Sequence, residues 1–350
     1  MNLRLKKLKS LLKENGLDAF LVSKDVNIVY LTDFPASDSW LFVTRNQVFY
    51  ITDFRYIYEA KGRLKGITVK QYSQSIFTFL TEIAKKNNVK RIGFNDKHMV
   101  VRFLHECKKV GGKEVRWFPK SDFVENLRLI KEKNEIVKIK KAVKLNLKAF
   151  NYVKRLLRPG ITEKNVQHHL AQFVKNHHVA FSFDPIVAFG VNSCYPHAKI
   201  TDKRLRKGEP VLIDMGIDFR GLKSDLTRMF FLGKIPRLIE EIYSFVYAAQ
   251  RVAINKIRPG IQASEIDKAA RDSLRKHKLD KLFGHSLGHG VGLEIHEGPT
   301  ISSASSDILQ EGMVCTVEPA VYYPGKFGVR IEDMVLVTKK GCEVLSDNID

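Results

Sequence analysis

Val211-Leu-Ile-Asp-Met-Gly-Ile217 and Ser224-Asp-Leu-Thr-Arg-Met-Phe-Phe-Leu232 read as two apolar strands joined by a turn around Phe219-Arg-Gly221, and each carries an aspartate among core residues. Residues paired across a hairpin keep a constant index sum. Asp214 and Asp225 sum to 439, so a turn centred between Phe219 and Arg220 sets them directly opposite, with Cβ atoms about 4.5 to 5.5 Å apart. Like charges so placed repel. The arrangement returns in Met313-Val-Cys-Thr-Val-Glu-Pro-Ala-Val-Tyr322 and Gly328-Val-Arg-Ile-Glu-Asp-Met-Val-Leu-Val-Thr338, where Glu318 and Glu332 sum to 650 about a centre at Gly325.

Buried carboxylates are costly unless protonated, paired or bound to a cation. One pair alone is open to three readings: a shared-proton dyad, an accident of register, or a metal site. Two pairs at matching places favour metal. Four carboxylates supply a charge of about −4, which two divalent cations neutralise. Oxygen-rich ligation favours Mn²⁺, with Co²⁺, Fe²⁺ or Zn²⁺ tolerated.

The matching places belong to a duplication. Leu157-Arg-Pro-Gly-Ile-Thr162 reappears 100 positions later as Ile257-Arg-Pro-Gly-Ile-Gln262. Each copy follows one helical segment, precedes another and leads to a hairpin, as in a duplicated α+β unit. Histidines complete the chemistry. His285, His289 and His296 fall in one short segment with Gly284, Gly288, Gly290 and Gly292, a poor free helix that allows close backbone approach. His197 follows Gly160 by 37 positions and His296 follows Gly260 by 36, placing one histidine per half near the same axis. His98, His105, His168, His169, His177, His178 and His277 lie in charged helical contexts and read as solvated.

The whole chain, 350 residues and 44% apolar, suffices for two domains. Residues 1–122 alternate helical stretches (Met1–Asn15, Ile76–Asn87) with strand-like runs at Ala19–Val22, Trp40–Thr44, Gln47–Thr52 and Arg91–Phe94, an α/β pattern; the second domain is 123–350. No run is long and apolar enough for a membrane span, the N-terminus lacks a secretory h-region, and Cys107, Cys194, Cys315 and Cys342 form no paired motif. A cytoplasmic protein with reduced thiols is expected. Lys plus Arg exceed Asp plus Glu by 21, which raises nucleic acid as a partner. Residues 1–120 hold 23 basic and 11 acidic side chains without a solid basic block. Lys6, Lys7 and Lys9 interleave with leucines, the pattern of an amphipathic helix with a solvated lysine face. Setting aside the four carboxylates leaves 34 acidic against 59 basic groups, so the charge belongs to the surface and does not define the activity.

Pro196-His197, Ile213-Asp214-Met-Gly216, Ser224-Asp225-Leu-Thr-Arg228, Gly288-His289-Gly290, Val317-Glu318-Pro319 and Arg330-Ile-Glu332-Asp333 together resemble the pita-bread metallopeptidases, the family of prolidase, aminopeptidase P and methionine aminopeptidase. Asp53-Phe-Arg-Tyr56 and Tyr30-Leu-Thr-Asp-Phe34 extend the likeness to residues 1–122, which resemble the creatinase/prolidase-type N-terminal domain. The resemblance implies an α+β protein: a duplicated pita-bread catalytic domain with antiparallel sheet, behind a smaller α/β domain.

It also implies roles. Asp214 chelates one metal, Asp225 and Glu332 bridge both, His289 caps the second, and Glu318 supports that metal and moves protons. A water held by both cations, its pKa lowered toward about 7, attacks the scissile carbonyl. His197 and His296 steady the oxyanion and the leaving imide, His285 lines the pocket, and Arg330 orients Glu332. Ala320, Phe189 and Cys194 depart from the usual pattern without removing a ligand, and Phe189 is expected to narrow the entrance. The expected activity is a prolidase-like Xaa-Pro dipeptidase on proline-containing peptides, the alternative an aminopeptidase P on longer ones. A non-catalytic nucleic-acid-binding protein is the remote alternative, opposed by the intact ligand set. The resemblance further implies a homodimer.

Overall fold

The computed structural model describes residues 2–73 and 75–347. Met1, the start of the first expected helix, and residues 348–350, the end of the second expected domain, lie outside them. The chain divides into two compact units, Met1–Arg128 and Leu129–Asp350.

The first unit is built on a six-stranded mixed sheet in the order Thr68–Gln71, Val48–Thr52, Trp40–Thr44, Ala19–Val22, Arg91–Phe94, Arg116–Pro119. Ala19–Val22 runs antiparallel to Trp40–Thr44 and parallel to Arg91–Phe94. The helix Leu3–Glu14 starts on Asn2, whose side chain accepts from the Arg4 and Leu5 N–H groups, and buries Leu5, Leu8 and Leu12. Lys9 departs from the solvated face expected of it. It is buried, and its Nζ donates to Asn46 O at 2.7 Å, while Lys6 and Lys7 are exposed.

The second unit shows the duplication directly. Lys133–Lys154 and Glu163–Asn176 form one helix pair, Arg237–Lys256 and Ala263–Arg275 the other. The Pro-Gly segments between them make equivalent bonds: Gly160 N–H to Leu205 O and Gly260 N–H to Leu309 O, each answered by a bond to Ile161 or Ile261 O. Gly160 and Gly260 sit at φ +88° and +83°, a conformation only glycine adopts freely. The helices cover two apolar clusters, one around Val143, Leu147 and Phe150, the other around Val246, Ala249 and Ala253. Each fully buried Leu or Ile contributes about 1.5–3 kcal/mol.

Against these helices lie antiparallel strands: Ile186–Phe189, Pro210–Met215 and Leu226–Phe231 in the first half, and in the second a five-stranded sheet containing Gly288–Gly290, Val314–Val317 and Asp333–Val337. The expected long strands are interrupted. Pro210–Met215 gives way to Ile217–Phe219, Leu222–Lys223 to Leu226–Phe231, Val314–Val317 to Ala320–Tyr323, and Phe327–Arg330 to Asp333–Val337. Asp225, Glu318 and Glu332 sit in these gaps and Asp214 is next to one.

The second hairpin keeps the expected register, with Val317 opposite Asp333 and Ala320 opposite Arg330. The first is displaced by two residues. Phe219 pairs with Leu222 and Asp214 with Thr227, so Asp225 lies diagonal to Asp214. The turn falls on Arg220 and Gly221, both at positive φ, and the Gly221 N–H donates to Asp218 Oδ1 at 2.8 Å. Two positive-φ residues match the twist of a tight hairpin, which moves the centre one position past the expected one. The shift is even, so both aspartates keep the same face.

Candidate active site

The interrupted strands and the Gly288–Gly290 segment surround a cavity of about 1070 Å³ whose wall includes His197, Asp214, Asp225, His285, His289, His296, Glu318, Tyr322, Arg330 and Glu332. All nine candidate site residues therefore meet in one place. Asp225, His289 and Glu332 each offer an atom within 4.8 Å of the others. Asp214 and Glu318 fall outside that tightest group but face the same space.

His289 is the hinge of the arrangement. Gly288 and Gly290 let its strand approach closely: a Cβ on Gly288 would lie 2.0 Å from Thr316 O, and one on Gly290 1.9 Å from Gly298 O. The glycines serve packing against neighbouring strands, whereas the expectation was approach to a ligand. His289 Nδ1 is 3.1 Å from Gly290 O, so Nδ1 carries the proton and donates. Nε2 is left with its lone pair, 3.5 Å from both Asp225 Oδ2 and Glu318 Oε1. Burial, aided by His296, pushes its pKa down to about 4, keeping it neutral. The His296 ring stands edge-on to it with centroids 4.3 Å apart.

Burial also raises every carboxylate here. Asp225 and Glu332 lie well above the usual range, pushed by burial and then by the neighbouring carboxylates, and Glu318 reaches about 8, chiefly through burial. Asp214 is raised by burial against the opposing pull of Arg330. Arg330 Nη2 donates to Asp214 Oδ2 at 2.6 Å, Nε to Thr227 Oγ1 at 3.1 Å and Nη1 to Pro196 O at 3.2 Å. Its Nη1 also donates to the Tyr322 hydroxyl. Arg330 was expected to orient Glu332 from behind the metal ligands. It reaches Glu332 through Thr227, whose hydroxyl donates to Glu332 Oε2 at 2.8 Å, because the displaced register puts Thr227 opposite Asp214.

Tyr322 links two further groups. Its oxygen accepts from Arg330 and lies 3.3 Å from His285 Nε2, while His285 Nδ1 donates to Ser286 O at 2.8 Å. Burial pushes His285 down to about 4 and Tyr322 up to about 12, so both stay neutral. Phe189, expected at the entrance, is fully buried in the first-half core and lines no part of the cavity.

The donor set fits divalent cations. Asp214 Oδ1 is buried with no hydrogen-bond partner, an oxygen left available on a carboxylate whose other oxygen is engaged. Three further carboxylates, Asp225, Glu318 and Glu332, and one neutral imidazole nitrogen share the cavity with it, a mainly oxygen set suited to hard or borderline metals. Such a centre in a duplicated α+β unit defines a metallopeptidase. The chain belongs to metallopeptidase family M24, whose model matches residues 137–339, and residues 4–130 match the creatinase/prolidase N-terminal domain.

The chain is 33% identical to a Xaa-Pro dipeptidase of Pyrococcus horikoshii over 99% of its length and 97% of the relative's. Its fold matches a Xaa-Pro dipeptidase from Bacillus anthracis at a TM-score of 0.94 and 33% identity, covering 99% and 98% of the two chains. An X-Pro aminopeptidase from Thermotoga maritima matches at 0.89 and 32%, covering 98% of each. Among the described residues no helix is long and apolar enough to cross a membrane.

Proposed function

We propose that this enzyme hydrolyses Xaa-Pro bonds as a prolidase-like dipeptidase, with Asp214, Asp225, His289, Glu318 and Glu332 holding two divalent cations, Mn²⁺ foremost. The observation that carries this reading is the convergence of three buried carboxylates, Asp214, Asp225 and Glu332, the half-buried Glu318 and a neutral His289 on one cavity. The bound cations would supply a water activated near neutral pH and polarisation of the scissile carbonyl.

The chain's own groups do the rest. Glu318, beside His289 and with a carboxyl that holds its proton up to about pH 8 without metal, takes and returns the proton. His197 and His296 present imidazoles at the cavity wall, placed to hydrogen-bond the carbonyl oxygen and the imide nitrogen of the scissile bond. Phe183, Pro185, Ile186, Ala198 and Ile295 supply an apolar stretch of wall suited to a proline ring. The similarity to Xaa-Pro dipeptidases over nearly the whole chain supports the substrate class.

The test compares a Xaa-Pro dipeptide with a Xaa-Pro-Xaa tripeptide under Mn²⁺. Preferential cleavage of the dipeptide is expected. Preference for the tripeptide replaces the dipeptidase reading with an aminopeptidase one, and no cleavage of either removes the Xaa-Pro assignment.

A further inference from the structure

Two buried side-chain amides occupy equivalent places in the duplicated halves. Asn146 lies in the helix Lys133–Lys154 and Gln250 in the helix Arg237–Lys256, and both are completely buried. Gln250 follows Asn146 by 104 positions, the separation of Glu318 from Asp214 and of Leu309 from Leu205. The two amides are thus related by the same duplication as the carboxylates.

Each reaches the point where a strand breaks beside a metal-binding carboxylate. Asn146 Nδ2 donates to Met215 O at 2.6 Å, the carbonyl next to Asp214, and lies 3.3 Å from the hydroxyl of Ser224, next to Asp225. Gln250 Nε2 donates to Val317 O at 3.1 Å and Ile331 O at 3.3 Å, the carbonyls preceding Glu318 and Glu332. At these breaks the ladder is lost: Glu318 N–H turns to Leu287 O, Glu332 N–H to Thr227 O, and Asp225 N–H to the Met334 sulfur. A backbone carbonyl freed from a ladder and buried needs another donor. The helix amides supply it, and so set the backbone from which all four carboxylates project.

The oxygens of both amides, Asn146 Oδ1 and Gln250 Oε1, are buried without a hydrogen-bond partner. Both residues sit on helix faces otherwise lined by Val143, Leu147 and Phe150 or by Val246, Ala249 and Ala253, so each amide places polar atoms on an apolar face. With the oxygen stranded at the same place in each half, each amide acts through its N–H groups alone.

We infer that Asn146 and Gln250 are paired positioning residues, one for each half of the metal centre, holding the broken strand ends so that Asp214 with Asp225, and Glu318 with Glu332, meet at a fixed separation. This rests on the metal-centre reading above. Removing a support behind metal ligands typically costs about 10- to 100-fold in metal affinity.

The experiment titrates metal-free wild type, Asn146→Leu and Gln250→Met with Co²⁺, followed by visible absorption, and records the thermal midpoint of each metal-free protein. Weaker Co²⁺ binding by about 10- to 100-fold in each folded variant, with altered absorption, is the expected result. Unchanged binding, with or without a lower midpoint, overturns the inference and leaves the amides a packing role. Where an apolar variant does not fold, Asn146→Ser or Gln250→Asn, which withdraw the donor while keeping polarity, must show the same weakening. Wild type that binds no Co²⁺ overturns the metal-centre reading, an outcome distinct from variants that bind as wild type does.

Discussion

Asp214 and Arg330 form a buried ion pair, Oδ2 to Nη2 at 2.6 Å, that leaves Asp214 Oδ1 without a partner in the cavity wall. The pair keeps Asp214 oriented while leaving its other oxygen unpaired. Arg330→Leu removes the counter-charge and the donor to Thr227, Pro196 and Tyr322 at once. Breaking one side of a buried pair costs about 3–5 kcal/mol. The metal-free variant is therefore expected to lose about that much stability in urea unfolding, together with hydrolytic activity. An unfolding free energy within 1 kcal/mol of wild type would show that the pair does not hold Asp214.

Asp225→Asn separates catalytic from structural roles. Asp225 is raised by burial and by Glu332, Asp214 and Glu318, so without metal its charge is a liability. The amide keeps the shape and removes one of four like charges. The variant is expected to hydrolyse no Xaa-Pro peptide, yet to melt at a higher temperature than wild type when both are metal-free. Calorimetry in chelator decides it, and a lower midpoint for the variant contradicts the repulsion argument. Glu318→Ala is likewise expected to abolish hydrolysis.

The same charges set a pH dependence. A carboxyl raised in the folded state binds more protons folded than unfolded, so stability falls as pH rises from its unfolded value near 4.3 to its folded one. For Glu318 the upper limit is about 8. His285 and His289, both lowered to about 4, act in the opposite sense, but only below the unfolded histidine value near 6.5. Between about pH 6.5 and 8 the carboxylates act alone. The urea midpoint in chelator is expected to drop across that window, and to drop less for Glu318→Gln. A midpoint that rises from pH 6.5 to 8 in wild type, and equally in the variant, counts against the assigned shifts.

Charge was what made the centre readable before the fold was known. Asp and Glu inside Val-Ile-Leu strands conflict with their surroundings, and the conflict located Asp214, Asp225, Glu318 and Glu332. Strands such as Ala19–Val22, Trp40–Thr44 and Arg91–Phe94 were equally plain, being short apolar runs between polar turns. The first hairpin's register was not, since Arg220 gives no hint that it takes a positive φ. Thr227, Tyr322, Asn146 and Gln250 escaped notice for a different reason. A hydroxyl or an amide among apolar residues conflicts less than a charge does. Register is the signal that finds two of them: with the pairing known, Thr227 opposes Asp214, and Tyr322 shares a hairpin face with Arg330.

Thr227 offers the sharpest check on that last point. Its hydroxyl donates to Glu332 Oε2 at 2.8 Å and accepts from Arg330 Nε at 3.1 Å, so one oxygen joins the carboxylates of both halves through Arg330. Thr227→Val preserves the side-chain shape and deletes the link. Glu332 then loses its only hydroxyl donor among the described residues, and Arg330 keeps its hold on Asp214. The removal of one buried hydrogen-bond partner costs about 1–3 kcal/mol, and loss of a support behind a metal ligand about 10- to 100-fold in affinity. The variant is accordingly expected to fold and to bind Co²⁺ about 10- to 100-fold more weakly. Its kcat/KM should be restored toward wild type by raising the metal concentration. Wild-type Co²⁺ affinity in Thr227→Val would mean that Glu332 is held without the hydroxyl and that the link between the halves lies elsewhere.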